Sequence, residues 1–135
     1  MKGLMRRSAT AFFALLMMFS IGLWSNQAEA AANITWTTTD VTLESGKCTV
    51  HGYFKNDGNI AATASTMKLV VHTWDALTEV TIYDFAYSWA VNGGNELEIP
   101  SGAQISWYFE LTDKNCPAYD GPNKRWSVVP TVGLK

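Results

Sequence analysis

Few side chains in this sequence are chemically versatile, and histidine is the scarcest of them, present only as His51 and His72. Both take the outward parity of alternating segments, so two imidazoles on one sheet face could hold copper or zinc, as in a periplasmic metal carrier. Met67, a soft third ligand for copper, has the inward parity of the segment that carries His72 and points away from it. Neither a His-x-x-x-His pattern nor a Cys/His cluster is present, so the reading taken is two solvated surface histidines, no metal and no cofactor.

Cysteine also occurs twice, as Cys48 and Cys116. In an exported chain, two cysteines most simply form one disulfide. The chain-entropy model gives a loop closed between these positions a stabilisation of roughly 4 kcal/mol. A redox pair would want Cys-x-x-Cys spacing, which is absent. Glu96, Glu98 and Glu110 are the carboxylates from which a glycosidase pair could be drawn. Yet Glu96 and Glu98 alternate with Leu97 and Ile99, the pattern of a solvent-facing strand edge. Gly-x-Ser-x-Gly is absent. Asp57 lies in Asn-Asp-Gly-Asn, which is a turn rather than a loop of oxygen ligands for calcium. No reaction is indicated, and the expectation is that the protein is not an enzyme.

Aromatic side chains are more suggestive. Trp36, Trp107 and Trp126 have core parity, while Trp89 fits neither set cleanly. Tyr53 and Tyr108 point outward and Trp74 ends a strand. Those three could form a flat platform for the sugar rings of a cell-wall glycan or for an envelope protein.

These residues need elements to position them. Residues 1–30 stand apart from the rest. Lys2, Arg6 and Arg7 precede an apolar run from Ala11 to Trp24, and Ala28-Glu29-Ala30 supplies small residues at −3 and −1. That is the pattern of a secretory signal peptide cut after Ala30, with the fold in 31–135 and no membrane span after cleavage. The formal net charge is −2 for the whole chain and more negative once the basic leader is set aside. A mildly acidic domain without a basic cluster has no footprint for nucleic acid.

The best-patterned segment is 47–59. Cys48, Val50, Gly52 and Phe54 share one face, and Asn56-Asp57-Gly58-Asn59 follows as residues that tolerate positive φ in a tight turn. Asn33 to Thr39 reads as an earlier strand, with Val41 to Leu43 as a second short one. Met67, Leu69 and Val71 alternate inward in the next. Glu79 to Trp89 changes apolar parity near Asp84, which suggests a β-bulge there or a break. Asn92-Gly93-Gly94-Asn95 is a strong turn signal. Gln104 to Leu111 turns Ile105, Trp107, Phe109 and Leu111 inward. In the last segment, from Arg125 to Val132, Pro130 argues for an edge position. No window after the leader has helical periodicity. The expected architecture is all-β: one antiparallel β-sandwich of about seven or eight strands carrying one disulfide.

The order of signals also resembles a known family. Val50-His-Gly52-Tyr-Phe54-Lys-Asn56-Asp-Gly58, then Met67-Lys-Leu69-Val-Val71, then Leu97-Glu-Ile99-Pro100-Ser-Gly102 and Ile105-Ser-Trp107-Tyr-Phe109 are similar to small immunoglobulin-like modules of bacterial envelope proteins, the FxLYD and SLAP (S-layer-associated) kind. The stretch that would carry Phe-x-Leu-Tyr-Asp reads Ile82-Tyr-Asp84-Phe85-Ala-Tyr87. The resemblance implies a non-enzymatic extracytoplasmic module, serving interaction or adhesion at the cell envelope.

Overall fold

The computed structural model describes residues 31–135, and the expected signal peptide, 1–30, lies outside the described residues. Seven strands follow in order: β1 Ile34–Glu44, β2 Lys47–Asn56, β3 Ala62–Asp75, β4 Thr81–Ala90, β5 Leu97–Ile99, β6 Gln104–Thr112 and β7 Lys124–Leu134. A short 3-10 turn, Val91–Gly94, separates β4 from β5. The first sheet has the order β1-β2-β6. In the second, β3 pairs with β4, β5 and β7. Every one of these pairings is antiparallel. The inner faces meet in one core, to which Trp36, Val41, Val50, Phe54 and Phe109 come from the first sheet and Met67, Leu69, Val71 and Ile99 from the second. An all-β sandwich is thus what forms, because each sheet buries the apolar half of its alternation.

Several local features depart from the sequence expectation. The segment from Asn33 to Leu43 makes a single strand whose register shifts between Thr38 and Asp40. That bulge lets Trp36 and Val41, of opposite parity, both face the core. The irregularity expected at Asp84 lies earlier on β4: Asp84 pairs regularly with His72, and the shift falls where Trp74 meets Thr81. Past it, Tyr83, Phe85, Tyr87 and Trp89 hold one parity, opposite Thr73, Val71, Leu69 and Met67. Asn56 to Asn59 is not a tight hairpin turn with positive φ. None of its residues has φ above zero, and the segment carries the chain from one sheet to the other.

Asn56 is instead a buried joint. Its amide donates to Ile60 O and Ile99 O, and its side-chain oxygen accepts from the backbone N–H of Gly58 and, at 3.4 Å, of Asn33. Gly52 serves packing: a Cβ there would stand 2.1 Å from Thr37 O and 2.6 Å from the indole of Trp36. The space left by the missing side chain is what lets Trp36 lie edge-on against Phe54 and Phe109.

The disulfide expected between Cys48 and Cys116 is not formed. Both cysteines are buried free thiols. Cys116 is brought to the start of β2 by a backbone bond in which Gly46 N–H donates to its carbonyl. Burial, with a further contribution from Cys116, pushes the Cys48 thiol up to about 12, while Lys124 opposes the shift. Burial also raises the Cys116 thiol, helped by the Asp113 carboxylate. Two neutral, unreactive sulfurs packed as small apolar groups result.

Candidate functional site

The two lateral seams of the sandwich are built differently. On the β1–β7 side, Lys124 Nζ donates to Val41 O, and Tyr119 bridges to Leu43. Tyr119 OH also reaches Asp75 at 2.5 Å. That hydroxyl, together with the backbone N–H groups of Thr78 and Leu77, holds the Asp75 carboxyl below its usual range. This side is tied by polar contacts, beside a more polar hollow of about 500 Å³ lined by Thr42, Leu43, Glu44, Tyr119 and Lys124.

Among the described residues, two side-chain hydrogen bonds tie the β4–β6 seam. In one, Tyr83 OH donates to Asp113, whose carboxyl is held low by that bond and by Asn115 N–H. Burial and the same bond raise the Tyr83 hydroxyl. In the other, Trp89 Nε1–H donates to Glu110 O at 2.9 Å. Beyond Trp89 the edges part around a cleft of about 620 Å³, lined by Trp89, Trp107, Tyr108 and Phe109 with Asn92, Ser106 and Glu110 as polar members. The floor is aromatic: Trp89 and Phe109 lie 5.2 Å apart, and Tyr87 leans edge-on to Trp89 at 4.9 Å. The positive φ of Asn92 and Gly93 bends the chain away at the rim.

The residues singled out from sequence are not all brought together. Tyr53 and Tyr108 share the outer face of the first sheet, where Tyr53 pairs with Ser106 and Tyr108 with His51. The rings of His51 and Tyr108 are 6.2 Å apart, and a shallow hollow of about 320 Å³ lies beside them. Trp74 is on β3 in the second sheet and stacks on His72 at 4.8 Å, so it contributes nothing to a platform with Tyr53 and Tyr108. His51 and His72 fall on different sheets with outward side chains and do not converge on one ion. Among the described residues, no group of three or more His, Cys, Asp or Glu side chains is placed to hold a metal.

Two arrangements were not anticipated. Trp89 was ambiguous because β4's register shift hides its parity, and only the spatial proximity of β4 and β6 shows it to be the hinge of the seam. In the second sheet, Asp84, His72 and Ser127 stand side by side on β4, β3 and β7. Asp84 Oδ1 is 2.6 Å from His72 Nδ1. Among the described residues, no hydrogen bond links His72 to Ser127, and the imidazole is engaged with Trp74 instead. An activated serine needs that second bond, so the row does not support nucleophilic catalysis. Next to it, Val70 and Val129 pair as an apolar strip, 43% and 62% exposed.

No protein-family model matches the chain, and no curated protein matches it. The chain is similar to the crystal structure of Spo0M, a sporulation control protein from Bacillus subtilis, with 18% identity and a TM-score of 0.41 over 78% of this chain. The chain spans 44% of that protein. Among the described residues, no helix is long and apolar enough to cross a membrane.

Proposed function

We propose that the chain is an exported, non-catalytic binding module of the bacterial cell envelope, immunoglobulin-like in kind, that takes its partner at the aromatic seam between β4 and β6. The observation that carries this reading is the cleft of about 620 Å³, with Trp89, Trp107 and Phe109 as apolar surface and Asn92, Ser106 and Glu110 at hand to orient a ligand. Aromatic walls with a few polar groups are the usual make-up of a recognition site. Export rests on the leader-like residues 1–30, and the envelope on the resemblance of 41–111 to envelope modules. The partner favoured is an envelope protein.

A cell-wall glycan is the second reading, and the same seam favours it over the outer platform. Indole and phenyl faces beside Asn92 and Glu110 offer a sugar both its apolar side and hydrogen-bond partners. A metal carrier is not supported, because His51 and His72 lie on separate sheets. The test is tryptophan fluorescence of the protein against solubilised envelope proteins and against a glycan array, run beside a Trp107→Ala variant. A response lost in the variant supports the seam; responses unchanged by the variant, or none at all, remove it.

A further inference from the structure

We infer that the free edge of β6 accepts an extended polypeptide segment as an added strand, with inward side chains of that segment seated in the seam cleft. The inference rests on the reading that the seam is the ligand site, and it names the partner's chemistry.

The backbone parity of β6 is set by bonds at both of its ends. Asn56 N–H donates to Ala103 O, and Asp113 N–H donates to Gly46 O. Odd-numbered positions of this strand therefore face β2, since strand backbone groups alternate sides. Ser106, Tyr108 and Glu110 then turn their N–H and C=O groups toward the free edge, as the bond from Trp89 to Glu110 O independently requires. Glu110 O is thus occupied, while the edge groups of Ser106 and Tyr108 point at the cleft margin.

Natural sheets blunt their edges with bulges, prolines or lysines. The edge strand β1 has its bulge at Thr38–Asp40, and the edge strand β7 has Pro130. From Gln104 to Thr112, β6 has none of the three. A strand added there would alternate its side chains, one set outward beside Tyr108 and the other inward over Trp89, Trp107 and Phe109. The cleft is bordered by both the edge residues and these rings, so one segment engages the two at once. A second copy of this chain fits less well. Pairing β6 with β6 would bring a second Trp89 and a second Asn92 turn against the same margin.

The test uses a phage-displayed library of random dodecapeptides panned on the purified protein. Enriched peptides are resynthesised with N-methyl groups on alternate amides, in both parities. Methylation in one parity is expected to weaken binding at least tenfold and in the other to leave it within about twofold, since only one set of amides faces an added-strand neighbour. Amide hydrogens of Ser106 and Tyr108 are expected to exchange more slowly in the complex. Tyr108→Pro removes an outward N–H that β2 does not use, and should match the tenfold loss, whereas Tyr108→Phe should bind as the parent does.

Equal tolerance of both parities, or failure to enrich any peptide, overturns strand addition. So does a dimer in sedimentation whose formation protects Ser106 and Tyr108. If glycans bind and the binding is lost in Trp107→Ala, the seam stands and only strand addition falls. If neither peptide nor glycan binds, both readings fall together.

Discussion

The indole N–H of Trp89 donates to the backbone carbonyl of Glu110 across 2.9 Å, tying the edge of one sheet to the edge of the other. That bond occupies a β6 edge carbonyl, and it marks where the seam stops being closed and begins to open. Its donor sits on an aromatic row from β4, and its acceptor on a strand whose Ser106 and Tyr108 border the cleft. Closure of the seam and the margin of the cleft thus meet at one residue pair.

Replacing Trp89 by Phe keeps most of the ring but removes the donor. The loss of one hydrogen bond to a partly exposed carbonyl is expected to cost about 1 kcal/mol in urea unfolding.

Gly52→Ala places a methyl group against Thr37 O and the Trp36 ring at distances no packed carbon tolerates. Overpacking of this kind is expected to cost at least about 2 kcal/mol. Urea midpoints measure it, and near-ultraviolet circular dichroism should show the Trp36 environment disturbed.

Asn56→Ala strips the donors from Ile60 O and Ile99 O and the acceptor from Gly58 N–H, at a site with no solvent exposure. Leaving such groups unpaired is expected to cost about 3 kcal/mol. The same denaturation experiment checks it, and a variant as stable as the parent would show the joint to be dispensable.

Stability should fall at both ends of the pH scale, for different reasons. Asp113 and Asp75 have depressed values in the folded state through Tyr83 and Tyr119. Their contribution is present above the ordinary carboxylate range near 4 and is lost as pH falls through the lowered values. Cys48 is raised to about 12 from 9.0, so its contribution is full below about pH 9 and is lost as pH climbs toward 12. Urea midpoints from pH 2 to 11 should show both declines. Asp113→Asn should flatten the acid limb, and Cys48→Ala the alkaline one.

Free thiols make a separate prediction. Iodoacetamide applied without reductant should label neither cysteine in the native protein over minutes, and both in urea. Intact mass spectrometry counts the adducts, and an unlabelled unfolded chain would mean that the two sulfurs are bonded.

Much of this architecture was legible in the sequence because alternation survives wherever register is unbroken. Met67, Leu69 and Val71 on β3, and Ile105, Trp107 and Phe109 on β6, fall where their parity puts them. Pro130 marked an edge strand correctly. Bulges defeat the same logic: one residue inserted near Thr39 splits a continuous strand into two apparent ones, and the shift at Thr81 conceals the aromatic row of β4. Turn chemistry misled at Asn56, whose side chain is used for burial and cross-sheet bonding rather than for positive φ. The candidate site was invisible for a further reason. Which two edges lie together is a property of strand order, and no local pattern around Trp89 or Glu110 encodes it.

The most direct test is an amide and indole correlation spectrum of 15N-labelled protein titrated with an enriched dodecapeptide. The largest shifts are expected at the Trp89 indole N–H and at the backbone amides of Ser106, Tyr108 and Phe109. Shifts centred instead on Val70, His72, Trp74 and Val129, on the opposite face, would contradict the seam as the binding site.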